Sequence, residues 1–161
     1  MPAKLELIQA EARFAVANWG RYNLMVWRTE ISALGVSIWA RAIQQLKQTN
    51  PGLRLGQVTW IESECVFLQD SSAFPACVEA LKRFSDCLAG SAVVYAREGF
   101  WNATMRSRVT AIHSESKTEV PFALRPTLEE AHGWLREQAP DLPGVSVAGL
   151  AGAMQELRTK K

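Results

Sequence analysis

The sequence predicts an α/β domain, a mixed β-sheet in which an N-terminal hairpin leads into alternating strand–helix units packed by about four helices. Short β-type apolar runs separated by longer stretches of helical period point to it. So does the Gly, Pro and Asn punctuation that falls between them. Residues 12–19 open the series, with Phe14 and Val16 on one face and Arg13 directed to the other. A turn over residues 20–23 leads to the continuous apolar run 24–27, as expected of a strand covered on both faces. From Ser32 the period becomes helical through Val36, Trp39, Ala40, Ile43 and Leu46, and Asn50-Pro51-Gly52 ends it. Residues 57–61 form the next strand. Asp70-Ser71-Ser72 then offers capping side chains to a second helix, whose face runs through Phe74, Cys77, Val78, Leu81, Ser85 and Leu88 to a stop at Gly90. Pro75 fits only in the first turn of that helix.

Residues 92–96 read as a short buried strand, and Gly99 opens a third helix carrying Trp101, Met105, Val109 and Ile112 on one side. Residues 119–124 alternate as a last strand, which Pro121 places in a weak or edge position. Thr127 and Glu130 form a capping box ahead of Ala131, Trp134 and Leu135. The division is therefore an N-terminal arm at 1–9, a domain at 10–138, and a C-terminal extension at 139–161. The extension is partly helical through Leu150, Met154 and Leu157, or disordered.

Composition suits one ordinary domain: 161 residues, 48% hydrophobic and 21% charged, with a formal net charge of +2. That balance is too mild to argue for nucleic acid, and no apolar run approaches the roughly 20 residues of a membrane span. The first residues lack the apolar core of a signal peptide, so a cytoplasmic, reducing setting is expected. Three cysteines, Cys65, Cys77 and Cys87, cannot all pair, show no CxxC spacing, and read as small packing residues. With only His113 and His132 to add, no metal site is expected.

The segment Trp60-Ile61-Glu62-Ser63-Glu64-Cys65-Val66-Phe67-Leu68-Gln69-Asp70-Ser71-Ser72-Ala73 resembles the centre of STAS domains, the sulfate-transporter and anti-sigma-factor-antagonist family. That family runs from a strand ending in Asp to Asp-Ser-Ser-Gly or Asp-Ser-Thr-Gly at a helix start. Here Glu62 stands at the strand end, and Asp70-Ser71-Ser72 follows eight residues later. The strand–helix order and the ending Phe122-Ala123-Leu124-Arg125-Pro126-Thr127-Leu128-Glu129-Glu130-Ala131 are also similar to the family, over about residues 10–138. Ala73-Phe74-Pro75 departs from the family's Gly and the small residues after it, which puts the partner surface at that point in question.

The resemblance implies a non-catalytic protein-interaction module in cytoplasmic signalling, like an anti-sigma-factor antagonist. Its partner would be a regulatory kinase or another signalling protein, and it would be switched by phosphorylation of Ser71 or, second, Ser72. The alternative is a constitutive scaffolding or oligomerising subunit of the same fold, with the serines only capping the helix. A phosphoryl group adds about −1.5 to −2 charge at the positive end of a helix dipole, which makes such a position an effective switch. Partner contacts are expected at Asp70, Phe67 and Phe74, and at Trp101 and Arg106 on the third helix. Aromatic residues are enriched at interface hot spots. No P-loop, nucleophile elbow or dinucleotide fingerprint is present, so no catalytic residue and no cofactor are expected. A small-molecule role, which the wider family includes, has no residue signature in the sequence.

Overall fold

The computed structural model describes residues 3–67, 72–95 and 100–161, with the side chains of 100–102 outside that description. Its six strands lie in chain order across one mixed sheet: β1 (Leu5–Ala10), β2 (Phe14–Trp19), β3 (Tyr22–Trp27), β4 (Leu55–Ile61), β5 (Leu88–Val94) and β6 (Phe122–Arg125). The first three are antiparallel, and β3 to β6 are parallel. Trp19 pairs with Tyr22 across a two-residue turn, where Gly20 takes a φ of 60°. A side-chain-free residue suits that left-handed position in a tight hairpin.

The parallel strands are joined by α1 (Ala33–Thr49), α2 (Ala73–Arg83) and α3 (Phe100–Ser116). Because the strands advance in one direction, right-handed crossovers place all three helices on the same face. There Val36, Trp39, Ile43 and Leu46 of α1, Val78 and Leu81 of α2, and Met105, Val109 and Ile112 of α3 meet Phe14, Val16, Met25 and Trp27 from the sheet. The opposite face is covered by α4 (Leu128–Gln138) and α5 (Val147–Thr159). Ala131 and Leu135 of α4 and Leu150, Met154 and Leu157 of α5 pack with Ala15, Ala17, Leu24, Val26, Val58, Ala92 and Val94. Strands covered on both sides read as unbroken apolar runs, and β2, β3 and β5 are buried at every residue.

The α/β class, the antiparallel start and the parallel strand–helix units follow the expected architecture, with six strands and five helices. Residues 5–10, all but Ala10 of them inside the expected arm, pair with β2 as an edge strand. The extension supplies α5. The second helix ends at Arg83, so Ser85 and Leu88 are not helical as the spacing suggested, and Gly90, the expected stop, lies in β5. The N–H groups of Cys87 and Leu88 return to the carbonyl of Phe84, and the carbonyl of Cys87 takes the N–H of Leu55. Pairing with β4 thus overrides a local apolar period that would have continued the helix. Pro121 precedes β6, which is the far edge of the sheet.

Candidate functional site

In a sheet of parallel strands, the loops at the carboxyl ends of the strands form the surface where α/β proteins commonly bind. Residues 62–67 and Ser72, between β4 and α2, belong to that edge. The sequence-derived candidates Asp70 and Ser71 lie outside the described residues, as does the side chain of Trp101 on α3. Ser72 is described: it stands at the N-cap position of α2, exposed, and its side chain makes no capping bond.

The cause is local. In α1, α4 and α5 the capping hydroxyls of Ser32, Thr127 and Ser146 accept from the third helical residue, at the N–H groups of Gly35, Glu130 and Gly149. Ser72 differs from these caps in two ways: its backbone is already helical (φ −64°, ψ −7°) where theirs is extended, and the third helical residue of α2 is Pro75, which has no N–H to give. The hydroxyl of Ser72 is therefore left to solvent at a helix start whose first turn holds no acidic residue.

Behind Ser72, Ala73 is fully buried, and Phe74 is half-buried with its ring 6.3 Å from that of Phe67. Phe67, one of the expected contact residues, is itself buried. The guanidinium of Arg108 lies 5.8 Å from the Phe67 ring centroid, within range of a cation–π contact. Arg108 joins Phe74, Ala103, Thr104, Ser107 and Ala111 around a groove between α2 and α3. Arg106 is exposed elsewhere on α3, and Arg108 is the basic side chain that lines the groove beside Phe74. Glu62, just past β4, is paired by Arg158 of α5 through two bonds of 2.6 and 3.0 Å. The same guanidinium covers the Trp60 ring at 4.3 Å.

A second constellation escaped the sequence reading. Gln57 and Thr59 of β4 and Ser91 of β5 are buried on the face beneath α1 to α3. The Ser91 hydroxyl donates to Gln57 Oε1 at 2.6 Å, and Gln57 Nε2 donates to Thr59 Oγ1 at 2.5 Å. The available signal was the alternation of polar residues at 57 and 59 inside a strand otherwise made for burial on both faces. Above this chain lies a cavity of about 80 Å³.

The remaining titratable candidates are engaged or suppressed. His113 Nε2 lies 2.8 Å from the carbonyl of Val120 and its ring stacks on Phe122, while His132 Nε2 lies 2.6 Å from the carbonyl of Val145. Burial pushes the thiols of Cys65 and Cys77 up to about 12, and raises that of Cys87. Neutral thiols are poor nucleophiles and poor metal ligands. Among the described residues, no group of three His, Cys, Asp or Glu side chains could hold a metal ion, and no helix is long and apolar enough to cross a membrane. Comparison of the chain with protein-family models, with curated proteins and with solved structures finds no match in any of the three.

Proposed function

We propose that this chain is a STAS-like, non-catalytic protein-interaction module of cytoplasmic signalling, docking through the start of α2 and the α2–α3 groove, with serine phosphorylation as its switch. The exposed Ser72 hydroxyl, which makes no capping bond, carries the reading. A capping hydroxyl is occupied by its own helix, whereas this one faces outward beside backbone N–H groups and the positive end of the helix dipole. A phosphoryl group there meets no acidic side chain in the first turn. It would change the charge of a surface that already holds Phe74 and Arg108. The order of parallel strand–helix units and the Asp70-Ser71-Ser72 sequence support the same reading.

The test has two arms. Peptide mass spectrometry of the protein from its native cells is expected to find phosphate on Ser71 or Ser72. Wild type and the Ser71→Asp and Ser72→Asp variants, used as parallel baits, are expected to recover different partner sets. Identical sets, with no phosphoform in any growth condition, would leave a constitutive scaffold in place of the switch.

A further inference from the structure

Protein interiors are packed like organic crystals, and voids much larger than a water molecule are few. The space between the sheet and α1, α2 and α3 is an exception. Its volume of about 80 Å³ is several times the roughly 10–15 Å³ that admits one water. Its floor is the central sheet, where Gln57, Thr59 and Ser91 stand in place of the larger aliphatic side chains that fill the rest of this layer. Thr59 retains 9% and Ser91 5% of their accessible surface although both sit mid-strand under the helical layer.

The chemistry of the walls selects an occupant. Every described side chain lining the cavity is uncharged, and Cys77, which forms part of the wall, remains a neutral thiol. A charged ligand would lose its hydration there with no counter-ion to compensate. The rings of Trp27, Trp39, Phe67 and Phe122 contribute flat apolar surface. The polar floor has a direction: Ser91 donates to Gln57, Gln57 donates to Thr59, and the Thr59 hydroxyl proton is left without an acceptor among the described residues. The indole N–H of Trp39 is likewise buried without a partner. Two surplus donors and no surplus charge call for a hydrogen-bond acceptor on an apolar body.

We propose that this cavity is a binding site for a compact, neutral, oxygen-bearing hydrocarbon, a small ketone, aldehyde or alcohol, whose oxygen accepts from Thr59 while its carbon frame fills the space between the sheet and the three helices. The site lies beneath the helical layer, adjoining the surface at the start of α2 through Phe67, and its existence does not depend on whether that surface is phosphorylated.

Cyclopentanone is a suitable probe, titrated into the full-length ¹⁵N-labelled protein with the indole N–H resonances of Trp27 and Trp39 followed by NMR. Saturable shifts of both signals are expected. Val109→Leu, which places an added methylene in the cavity, is expected to weaken binding at least tenfold, with Val36→Ile as the second filling variant should the first not fold. Thr59→Val, which keeps the shape and removes the donor, is expected to weaken binding about tenfold. Cyclopentane and isobutyrate are both expected to bind at least tenfold more weakly than cyclopentanone. The absence of a saturable shift, undiminished binding in both filling variants, or equal affinity for cyclopentane or isobutyrate would each overturn the proposal.

Discussion

Ser72 and Pro75 together decide what the start of α2 can do. A serine at N-cap stabilises a helix by about 1 kcal/mol when its oxygen takes the N–H three residues on. Ser32, Thr127 and Ser146 have that partner, and Ser72 does not. In urea denaturation, Ser32→Ala and Thr127→Ala are therefore expected to lower stability by about 1 kcal/mol each, and Ser72→Ala by no more than a few tenths. A loss at Ser72→Ala equal to the others would mean that the hydroxyl caps the helix after all. Arg158 offers a second single-residue test. Its guanidinium holds Glu62 at two points and covers Trp60, a geometry that an ammonium cannot reproduce. Arg158→Lys is expected to cost roughly 0.5–1 kcal/mol, a difference that shrinks when the melts are repeated in 1 M salt. The thiols give a pH dependence. Cys65 and Cys77 ionise at about 12 in the folded chain and near the ordinary value of 9.0 when exposed. Between those values the unfolded state releases protons that the folded state keeps. Stability is thus unaffected by these groups below about pH 9 and falls as pH rises from there towards 12. Urea midpoints at graded alkaline pH, compared with a Cys65→Ala, Cys77→Ala variant, measure their share of the fall.

At the scale of elements, periodicity exposed the helices more completely than the strands. α1 and α4 were legible because each carries a serine or threonine cap, an apolar stripe and a clear stop. β1 was not: its residues are half-buried or exposed, it lies at the sheet edge, and its register with β2 is interrupted between Leu7 and Gln9. Nothing in such a strand alternates cleanly enough to declare itself. The end of α2 was overrun because Ser85 and Leu88 extend its spacing while serving a turn and a strand. The serine-bearing edge could be placed from its motif, yet the uncapped state of Ser72 follows only once Pro75 is known to occupy the third helical position. The cavity depends on which residues meet across four strands and three helices, which no local pattern encodes. One contact between elements invites a direct test. A methyl group on Gly35 of α1 would fall inside van der Waals contact of the Trp27 ring and 3.2 Å from Phe14 Cδ1. Gly35→Ala is expected to destabilise by about 1–3 kcal/mol through overpacking, despite the better helix propensity of alanine. An unchanged or raised midpoint in denaturant would show that Trp27 can move aside, and its indole is the side chain that walls one side of the cavity.

For the molecule as a whole, the sheet is assembled from neighbours in the chain, and α5 is the long-range closure. It lies on β2 and β3, far from them in sequence. Arg28, just past β3, donates to the carbonyl oxygens of Leu157, Arg158 and Lys160 at the end of α5, groups that no further helical turn could satisfy. Removal of residues 147–161 is expected to expose the second face around Ala15, Ala17, Leu24 and Val26, seen as increased binding of a hydrophobic dye and a lowered melting temperature. The order of synthesis gives this arrangement another meaning. β2 and β3 leave the ribosome well before α5, and the helix that shields their outer face follows them after a delay of the order of ten seconds. During that interval the nascent sheet presents bare apolar surface to everything around it. The half-made chain is thus the form most in need of a chaperone, and any pause in translation ahead of α5 lengthens its exposure.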